Sequence, residues 1–515
     1  MADNRIIVYD DWAGGDTGRR LPLPNKPGYF HGLNVFTYPN GGIGPRPPFY
    51  TLSVTGLPSK QVSHMIYNDA QAVMVAIFTT GAVWKFATTG GAATSVGTLS
   101  GVVPNSVFSS GNMIYGVRTT GANGLVRVDL STNTITDIAA APTGHLIIVH
   151  GVQWIIVNTT GANPNRLNYS ALGDATSWPG NFVDIGDTTG IQKVFIQRNS
   201  LSIAKVDGSW WNVSGVLGSE TVRRVERGLN FAEPSVLSFG ENIWWVNGRD
   251  VGAFSGAQMK AELRPDEPNA TGAPSFENGA EDISPLAEAD DIIIVGTAKD
   301  TSGNDTVAYG HARIGGVWTR HTLPIGTLPN AAGSNLFVEP IGQGKVILCV
   351  RGRTGGAGDS APTFYTWQPR DEFPNISQRT DGTSAAPVSA SFDVPEFWPE
   401  DGGRCQIKEV IVDFILDYEQ ATPETGLVGF TIQAEALNRV AADAGNTSTS
   451  QAWIPSAETR TASTPGFKFV RQRATFTFGE QGEGGGGVIH FTNVEGVVVF
   501  RVIIRVDIIQ PEFIP

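Results

Sequence analysis

The chain has 515 residues, of which 41% are hydrophobic and 17% charged, and its formal net charge is −13. Such an acidic chain excludes binding to a nucleic-acid backbone through its overall field, because that binding needs clustered Lys and Arg. Its two cysteines, Cys349 and Cys405, exclude a disulfide framework and a cysteine-based zinc site. No run reaches the roughly 20 apolar residues of a membrane helix, and no secretory signal is recognised. We therefore expect a protein made in a reducing compartment.

Residues 1–50 are interrupted by glycines and prolines after one predicted strand, Arg5–Tyr9. Proline fixes φ and removes a hydrogen-bond donor, so little regular structure is expected here. We interpret this stretch as an extended arm, packed either on its own domain or around a neighbouring subunit. Trp12 and Arg46 are its candidate subunit or partner contacts.

Residues 51–370 repeat a unit of short β-type runs, rich in Val, Ile, Phe and Trp and separated by Gly, Asn or Asp turns. The clearest pair of units lies between Ile191 and Lys260. The spacing of roughly 35–50 residues is typical of the blades of a β-propeller. We predict an all-β fold with about seven blades; six or eight blades, or a pair of β-sandwiches, are the alternatives.

Residues 371–400 are rich in Pro and Ser and are predicted to be a linker. Residues 401–515 then contain at least five alternating runs, which predict a C-terminal β-sandwich. The best short helix candidate in the chain is Ala434–Ala442.

No group of residues indicates catalysis. The seven histidines have no metal-ligand spacing, and the Gly-rich runs lack the following helix and Lys of a phosphate loop. The turn at 299–305 contains acids and is read as a hairpin turn, with a weak cation site as the lesser alternative. We expect no enzyme activity, no cofactor and no metal.

Two segments carry unusual charge. Residues 265–292 hold eight acids and no Lys or Arg, and are read as a solvated loop or as a negative rim or lumen; the candidate acids are Asp266, Glu267, Glu281, Asp282, Asp290 and Asp291. Residues 221–228 hold Arg223, Arg224 and Arg227. These arginines belong either to a surface strand that pairs with neighbouring acids or to a contact with an acidic partner subunit.

Two tryptophan pairs, Trp210–Trp211 and Trp244–Trp245, place one ring on each face of a predicted strand. We interpret them as core between blades. The functional alternative is a platform on which carbohydrate rings stack.

The segment from Asn165 to Pro179 (NRLNYSALGDATSWP) resembles a stretch of tailed-phage virion proteins built on a β-propeller. The runs that begin at Leu201 (LSIA) and Trp211 (WNVSG) resemble two runs that come after this stretch in those proteins. The opening DWAGG at Asp11, followed by GLN at Gly32 and GGIGPR at Gly41, is also similar. The resemblance covers roughly residues 10–260. The family that the chain resembles is that of the tail hub, nozzle or packaged-DNA-stabilising proteins of tailed phages.

That resemblance implies a virion protein that assembles with itself, often as a hexameric ring, below the portal and adaptor of a head–tail connector. The ring would retain the genome and then pass it during DNA ejection without binding it specifically. The alternatives are a glycan- or receptor-binding or head-surface virion module and, less favoured, a propeller glycosidase, which needs convergent carboxylates in its channel. We expect the protein in the virion tail after synthesis in the host bacterial cytoplasm.

Overall fold

A computed structural model describes residues 3–12, 30–38, 41–197, 199–226, 236–239, 242–247, 250–254, 259–263, 280–286, 291–299, 305–314, 317–323, 336–352, 359–368, 388–398, 404–417, 429–437, 447–454, 469–478 and 483–509. The chain divides into two compact units. Unit 1 comprises 1–50, 309–324 and 367–515, and unit 2 comprises 51–308 and 325–366. Within the described residues, no helix has the length and apolar character needed to cross a membrane.

The described part of residues 1–49 contains four strands: β1 (Asp3–Tyr9), β2 (Phe30–Leu33), β3 (Val35–Thr37) and β4 (Ile43–Pro45). The predicted strand Arg5–Tyr9 is confirmed as β1. The expectation of little regular structure after it is wrong for β2, β3 and β4, because β2 and β4 pair with strands that are distant in sequence. β5 (Tyr50–Leu52) and β6 (Val54–Thr55) follow.

Four consecutive sheets of four strands come next in the chain. The first contains β7 (Val62–Asn68), β8 (Val73–Phe78), β9 (Ala82–Ala87) and β11 (Thr94–Thr98), while β10 (Gly91–Ala92) pairs with β6. A short 3-10 helix (Asp69–Gln71) joins β7 to β8. The second contains β12 (Ser106–Ser110), β13 (Met113–Val117), β14 (Leu125–Asp129) and β15 (Thr134–Ile138).

The third sheet contains β16 (Leu146–His150), β17 (Gln153–Val157), β18 (Arg166–Tyr169) and β19 (Phe182–Asp184). The fourth contains β20 (Ile191–Gln197), β21 (Ser200–Lys205), β22 (Trp210–Ser214) and β23 (Thr221–Glu226). Gly111 and Gly151 occupy hairpin turns at φ 55 and 59, backbone conformations that glycine adopts without steric cost.

Three further sheets follow the same order. The fifth contains β24 (Val236–Phe239), β25 (Asn242–Asn247), β26 (Asp250–Phe254) and β27 (Met259–Leu263). The sixth contains β28 (Ala280–Pro285), β29 (Ile292–Lys299), β30 (Asp305–Ile314) and β31 (Val317–Thr322). The seventh joins β32 (Leu336–Pro340), β33 (Val346–Val350) and β34 (Thr363–Trp367) to the early strand β5.

The seven sheets form a β-propeller, and its strands fall in unit 2 except for β31, most of β30 and the end residues Tyr50 and Trp367, which fall in unit 1. The first strand of each sheet contacts the first strand of the next, and β32 of the seventh sheet contacts β7 of the first, so the ring is closed. Separate buried clusters fill the spaces between blades one and two, two and three, and three and four. A further cluster, with Phe86 and Phe364, joins the seventh blade to the first. The described strands thus form seven blades, the predicted number, and each sheet is buried against its neighbours.

Unit 1 contains a β-sandwich, as predicted for the C-terminal region. Its strands are β35 (Ala390–Asp393), β36 (Arg404–Asp417), β37 (Gly429–Leu437), β38 (Thr447–Trp453), β39 (Phe469–Thr477), β40 (Glu483–Gly484), β41 (Gly486–Glu495) and β42 (Val497–Ile509). One sheet runs β3-β4-β42-β36-β39, with β1 on β42 and β40 on β36; the other runs β2-β35-β41-β37-β38. One apolar core packs between the two sheets.

Two expectations about this region need correction. The best short helix candidate, Ala434–Ala442, is a strand in its described part, because Ala434 and Ala436 are buried residues of β37 and alternate with half-buried neighbours. The predicted linker, residues 371–400, includes the strand β35, which pairs with β41.

Candidate assembly surfaces

Trp12 and Arg46 are core residues of unit 1. Trp12 is 1% exposed, and its indole Nε1 donates to the carbonyl of Phe500 at 2.9 Å. Arg46 is equally buried; its guanidinium donates to the carbonyls of Pro47 and Thr322 at 3.0 and 2.8 Å. Burial in their own chain removes both from the predicted partner surface, which corrects that assignment.

Arg223 and Arg224 lie on β23, the last strand of the fourth blade. Arg223 is exposed, whereas Arg224 is half-buried with its guanidinium carbon 5.7 Å from the centre of the Trp211 ring. Arg227 lies outside the described residues. The structure therefore leaves Arg223 on the surface and uses Arg224 partly for packing against an aromatic ring.

Three of the six acids of the predicted rim or lumen, Asp266, Glu267 and Asp290, lie outside the described residues. Glu281 and Asp282 belong to β28, the strand of the sixth blade that takes part in the central ring. Asp291 is 2% exposed. This burial removes Asp291 from an exposed rim, so its assignment is corrected.

The described tryptophans of the two pairs lie either in the buried core or half-buried at the boundary between two blades. Trp210 and Trp244 are each 1% exposed, and Trp210 stacks on Phe195 with ring centres 6.1 Å apart. Trp211 is half-buried and packs against the cluster between blades three and four. Trp245 has no described side-chain position. The described rings favour the predicted core between blades and count against an exposed stacking platform.

A charged surface on the sandwich was not found from the sequence. Arg471, Arg473, Arg501 and Arg505 project from the outer side of the sheet that contains β39, β36 and β42, and we call this the arginine face. Asp413 on the middle strand accepts Nε of Arg473 at 2.7 Å and Nε of Arg501 at 2.9 Å. Two register shifts in β36, beside Glu409 and Asp413, accompany this arrangement.

The arginines of this face outnumber the acids between them. Hydrogen bonds from Arg473, assisted by Arg501, outweigh burial and lower the pKa of Asp413, which therefore stays ionised. Glu409 forms an ion pair with Arg505, with 2.7 Å between Oε2 and Nη1, although the approach lacks hydrogen-bond geometry. Arg471 lies 6.0 Å from the centre of the Phe500 ring and is exposed. The face thus has a positive excess in a chain of net charge −13.

A histidine lies between two carboxylates on the other sheet of the sandwich. His490 on β41 is 2.7 Å from Asp393 through Nδ1 and 2.8 Å from Glu435 through Nε2. Burial alone would lower the pKa of His490, but the carboxylates of Asp393 and then Glu435 outweigh it, and the pKa is raised. The two ring nitrogens face different acids, so the arrangement favours an imidazolium.

Propeller turns repeat a polar motif in which an aspartate precedes Ser or Thr by two residues. In three of them the carboxylate accepts both the N–H and the hydroxyl of that residue: Asp129, Asp174 and Asp207. Asp187 accepts the N–H of Thr189 and also the Nζ of buried Lys205 at 2.6 Å. The hydrogen bond from Lys205 lowers the pKa of Asp187 to about 2. These are turn-forming carboxylates.

Among the residues that the structure describes, no group of three or more His, Cys, Asp or Glu side chains is arranged to hold a metal ion.

No protein-family model matches the chain, and no curated protein matches it. Among solved structures, it is similar to the extracellular domain of a putative one-component system from B. thetaiotaomicron, at 10% identity and a TM-score of 0.41; the match covers 64% of this chain and 41% of that one. It is also similar to the WD40 repeats of RRP9, at 10% identity and a TM-score of 0.41, over 62% of this chain and 98% of that one. The β-propeller domain of Cps50 (Swd1) from Myceliophteria thermophila matches at 10% identity and a TM-score of 0.41, over 62% and 99% of the two chains.

Proposed function

We propose that this protein is a structural component of a tailed-phage virion, of the hub or nozzle kind, which assembles into a ring with other tail proteins and performs no catalysis. Its role would be to retain the packaged genome and then let it pass. In this proposal the propeller and the sandwich are scaffolds for assembly.

One observation carries the proposal: the stretch that resembles phage virion proteins is built into the propeller. Residues 165–179 form β18 and the loop that comes after it. In that loop Asp174 accepts the N–H and hydroxyl of Thr176 at 2.8 and 2.6 Å, and the Nε1 of buried Trp178 donates to the carbonyl of Ala175. The resemblance is therefore carried by residues with definite structural roles in the third blade.

The charge of the chain suggests how passage of DNA would work. A net charge of −13 gives a field that repels phosphate rather than holding it. DNA would then be retained by the geometry of the ring and would leave without first breaking specific contacts. A ring with a neutral or basic lumen would contradict this part of the proposal.

The experiment is to disrupt the gene in the phage that encodes the chain and to analyse the particles by electron microscopy and mass spectrometry. We expect wild-type virions to contain the protein in their tails. Particles without it should lack a complete tail and lose packaged DNA, and purified protein added in trans should restore infectivity. Wild-type virions free of the protein, or mutant particles that keep their tails and DNA, would contradict the proposal.

A further inference from the structure

In the part of the chain that the structure describes, β1 and β39 are edge strands of the larger sheet of the sandwich. Among the described residues, β1 pairs with β42 alone, and β39 pairs with β36 alone. β1 and β39 lie on opposite sides of the β42–β36 pair, because β42 bonds β1 on one side and β36 on the other. A strand edge presents unpaired N–H and C=O groups that can accept another strand.

β1 carries apolar side chains that its own chain does not bury. Ile6 and Val8 are 64% and 47% exposed, whereas Ile7 and Tyr9 alternate with them and pack against the sandwich core. Natural edge strands are commonly protected from pairing by charged side chains. Between Arg5 and Asp10, β1 has none.

The two edges differ in charge. β39 holds Arg471 and Arg473 and no acid, and both arginines are exposed. β1 is followed at once by the exposed acids Asp10 and Asp11. Asp413 already bonds Arg473, but Arg471 packs on Phe500 and has no carboxylate partner among the described residues. An acidic segment placed along β39 would supply that partner.

Strand direction also fits. β1 is antiparallel to β42, β42 to β36 and β36 to β39, so β1 and β39 run in opposite directions. A second copy that continues the sheet would therefore place its β1 antiparallel to β39 without any change of orientation. The register in which Asp10 opposes Arg471 also sets Val8 opposite Arg473 and Ile6 opposite Thr475. These residues are exposed on the outer face in both strands.

We propose that copies of this chain associate head to tail, with β1 of one copy added in antiparallel orientation to β39 of the next. The carbonyl of Thr477 is already bonded by Gln451 Nε2 at 2.8 Å, so the added strand pairs with the part of β39 before that residue. Such a contact joins two different surfaces of the chain, and contacts of this kind produce closed rings or open filaments. The inference rests on the proposed function, because that function needs a ring of copies. The contact can nevertheless be wrong while the virion assignment is right.

The test is disulfide capture in the double variant Ile6→Cys/Thr475→Cys of the full chain. The native cysteines, Cys349 and Cys405, are buried and do not interfere. Under mild oxidation we expect a ladder of covalent oligomers that collapses on reduction. Each single variant should stop at a dimer, and Asn4→Cys/Thr475→Cys, which is offset by two residues, should give much less ladder. Circular dichroism checks that all variants are folded.

A charge exchange gives a second, independent readout. Arg471→Glu should weaken association of the wild-type background at low salt by about ten-fold, the effect of a lost charge pair of ~1.4 kcal/mol, measured by sedimentation. Adding Asp10→Arg should restore it. Absence of a ladder in folded protein, or a ladder equally strong in the offset variant, would overturn the contact. If virions contain the protein but no ladder forms, the proposed contact is wrong and the proposed function stands. If a ladder forms but the protein is absent from virions, the proposed function is wrong and the contact stands.

Discussion

The propeller and the sandwich are both made of antiparallel strands, but they differ in the sequence distance that their contacts span. Within a blade, neighbouring strands are joined by short turns, as in the pairing of β12 with β13 and β13 with β14. In the sandwich, β1 pairs with β42, and Trp12 donates to a carbonyl 488 residues away. Closing long loops costs conformational entropy before any contact is gained. The sandwich therefore depends on both ends of the chain, whereas most blades depend on local sequence.

The largest expected effect on stability is that of substituting Trp12, which should destabilise the sandwich and not the propeller. Trp12→Ala should lower the stability of the sandwich by about 3–5 kcal/mol, because it opens a cavity in the core. Hydrogen exchange read by mass spectrometry should show faster exchange in β36 and β42 and little change in blades one to four. Trp12→Phe, which keeps an aromatic ring and loses the hydrogen bond to Phe500, should have a smaller effect. Equal acceleration in the propeller would contradict the comparison.

In the propeller, the buried residue to test is Lys205. Its side chain is fully buried and donates to the carbonyls of Ile185 and Asp187 at 2.9 and 2.8 Å. Lys205→Met should destabilise the third and fourth blades by about 2–3 kcal/mol, because buried acceptors lose their donor. The same change at the more exposed Lys60 should cost less than about 1 kcal/mol. Urea unfolding monitored by tryptophan fluorescence would measure both, and equal losses would refute the special role of Lys205.

The ion pair of Lys205 also gives a pH dependence to the propeller. The pKa of Asp187 is lowered to about 2 in the folded chain, so its contribution is present above the ordinary aspartate pKa and is lost as pH falls from about 4 toward 2. In the Asp187→Asn variant, the urea concentration at the unfolding midpoint should therefore fall less steeply as the pH is lowered from about 4 toward 2. An unchanged slope would show that other carboxylates dominate acid unfolding.

The sandwich should respond to pH in the opposite sense through His490. Its raised pKa means that the charged form is favoured by folding. The stabilisation is therefore complete below about 6.5, the unfolded value, and is lost as pH rises through the folded pKa. His490→Gln should remove this decline in the sandwich transition, while the propeller is unaffected. A histidine NMR titration that finds the pKa of His490 at or below its ordinary value would contradict the assignment.

The smallest expected effect is at the surface of the third blade. Arg166 lies over the Phe182 ring, with its guanidinium carbon 3.6 Å from the ring centre, and bonds Asp184 through two nitrogens. Exposed ion pairs and cation–π contacts are weak, so Arg166→Ala should cost about 0.5–1 kcal/mol. Arg166→Lys should recover part of it. A loss above about 2 kcal/mol would mean that this edge contributes to the core.

The same difference in contact distance explains which features the sequence could predict. The blades were predicted because each repeats Val- and Ile-rich runs and turn residues within about 40 positions. The burial of Trp12 and Arg46 was missed because their partners, such as Phe500 and Thr322, are distant in sequence. The arginine face was missed for the same reason: Arg473 and Arg501 come together on Asp413 from separate strands. No local period signals such a pairing, whereas the alternation of β37 could have warned against a helix at Ala434.

The most direct test of the proposed function is cryo-electron microscopy of the purified virion that this chain is proposed to build. We expect a ring of seven-bladed propellers in the tail, with β1 of each copy along β39 of its neighbour and the genome path through the ring. Tail density that contains no such propeller would contradict the proposed function.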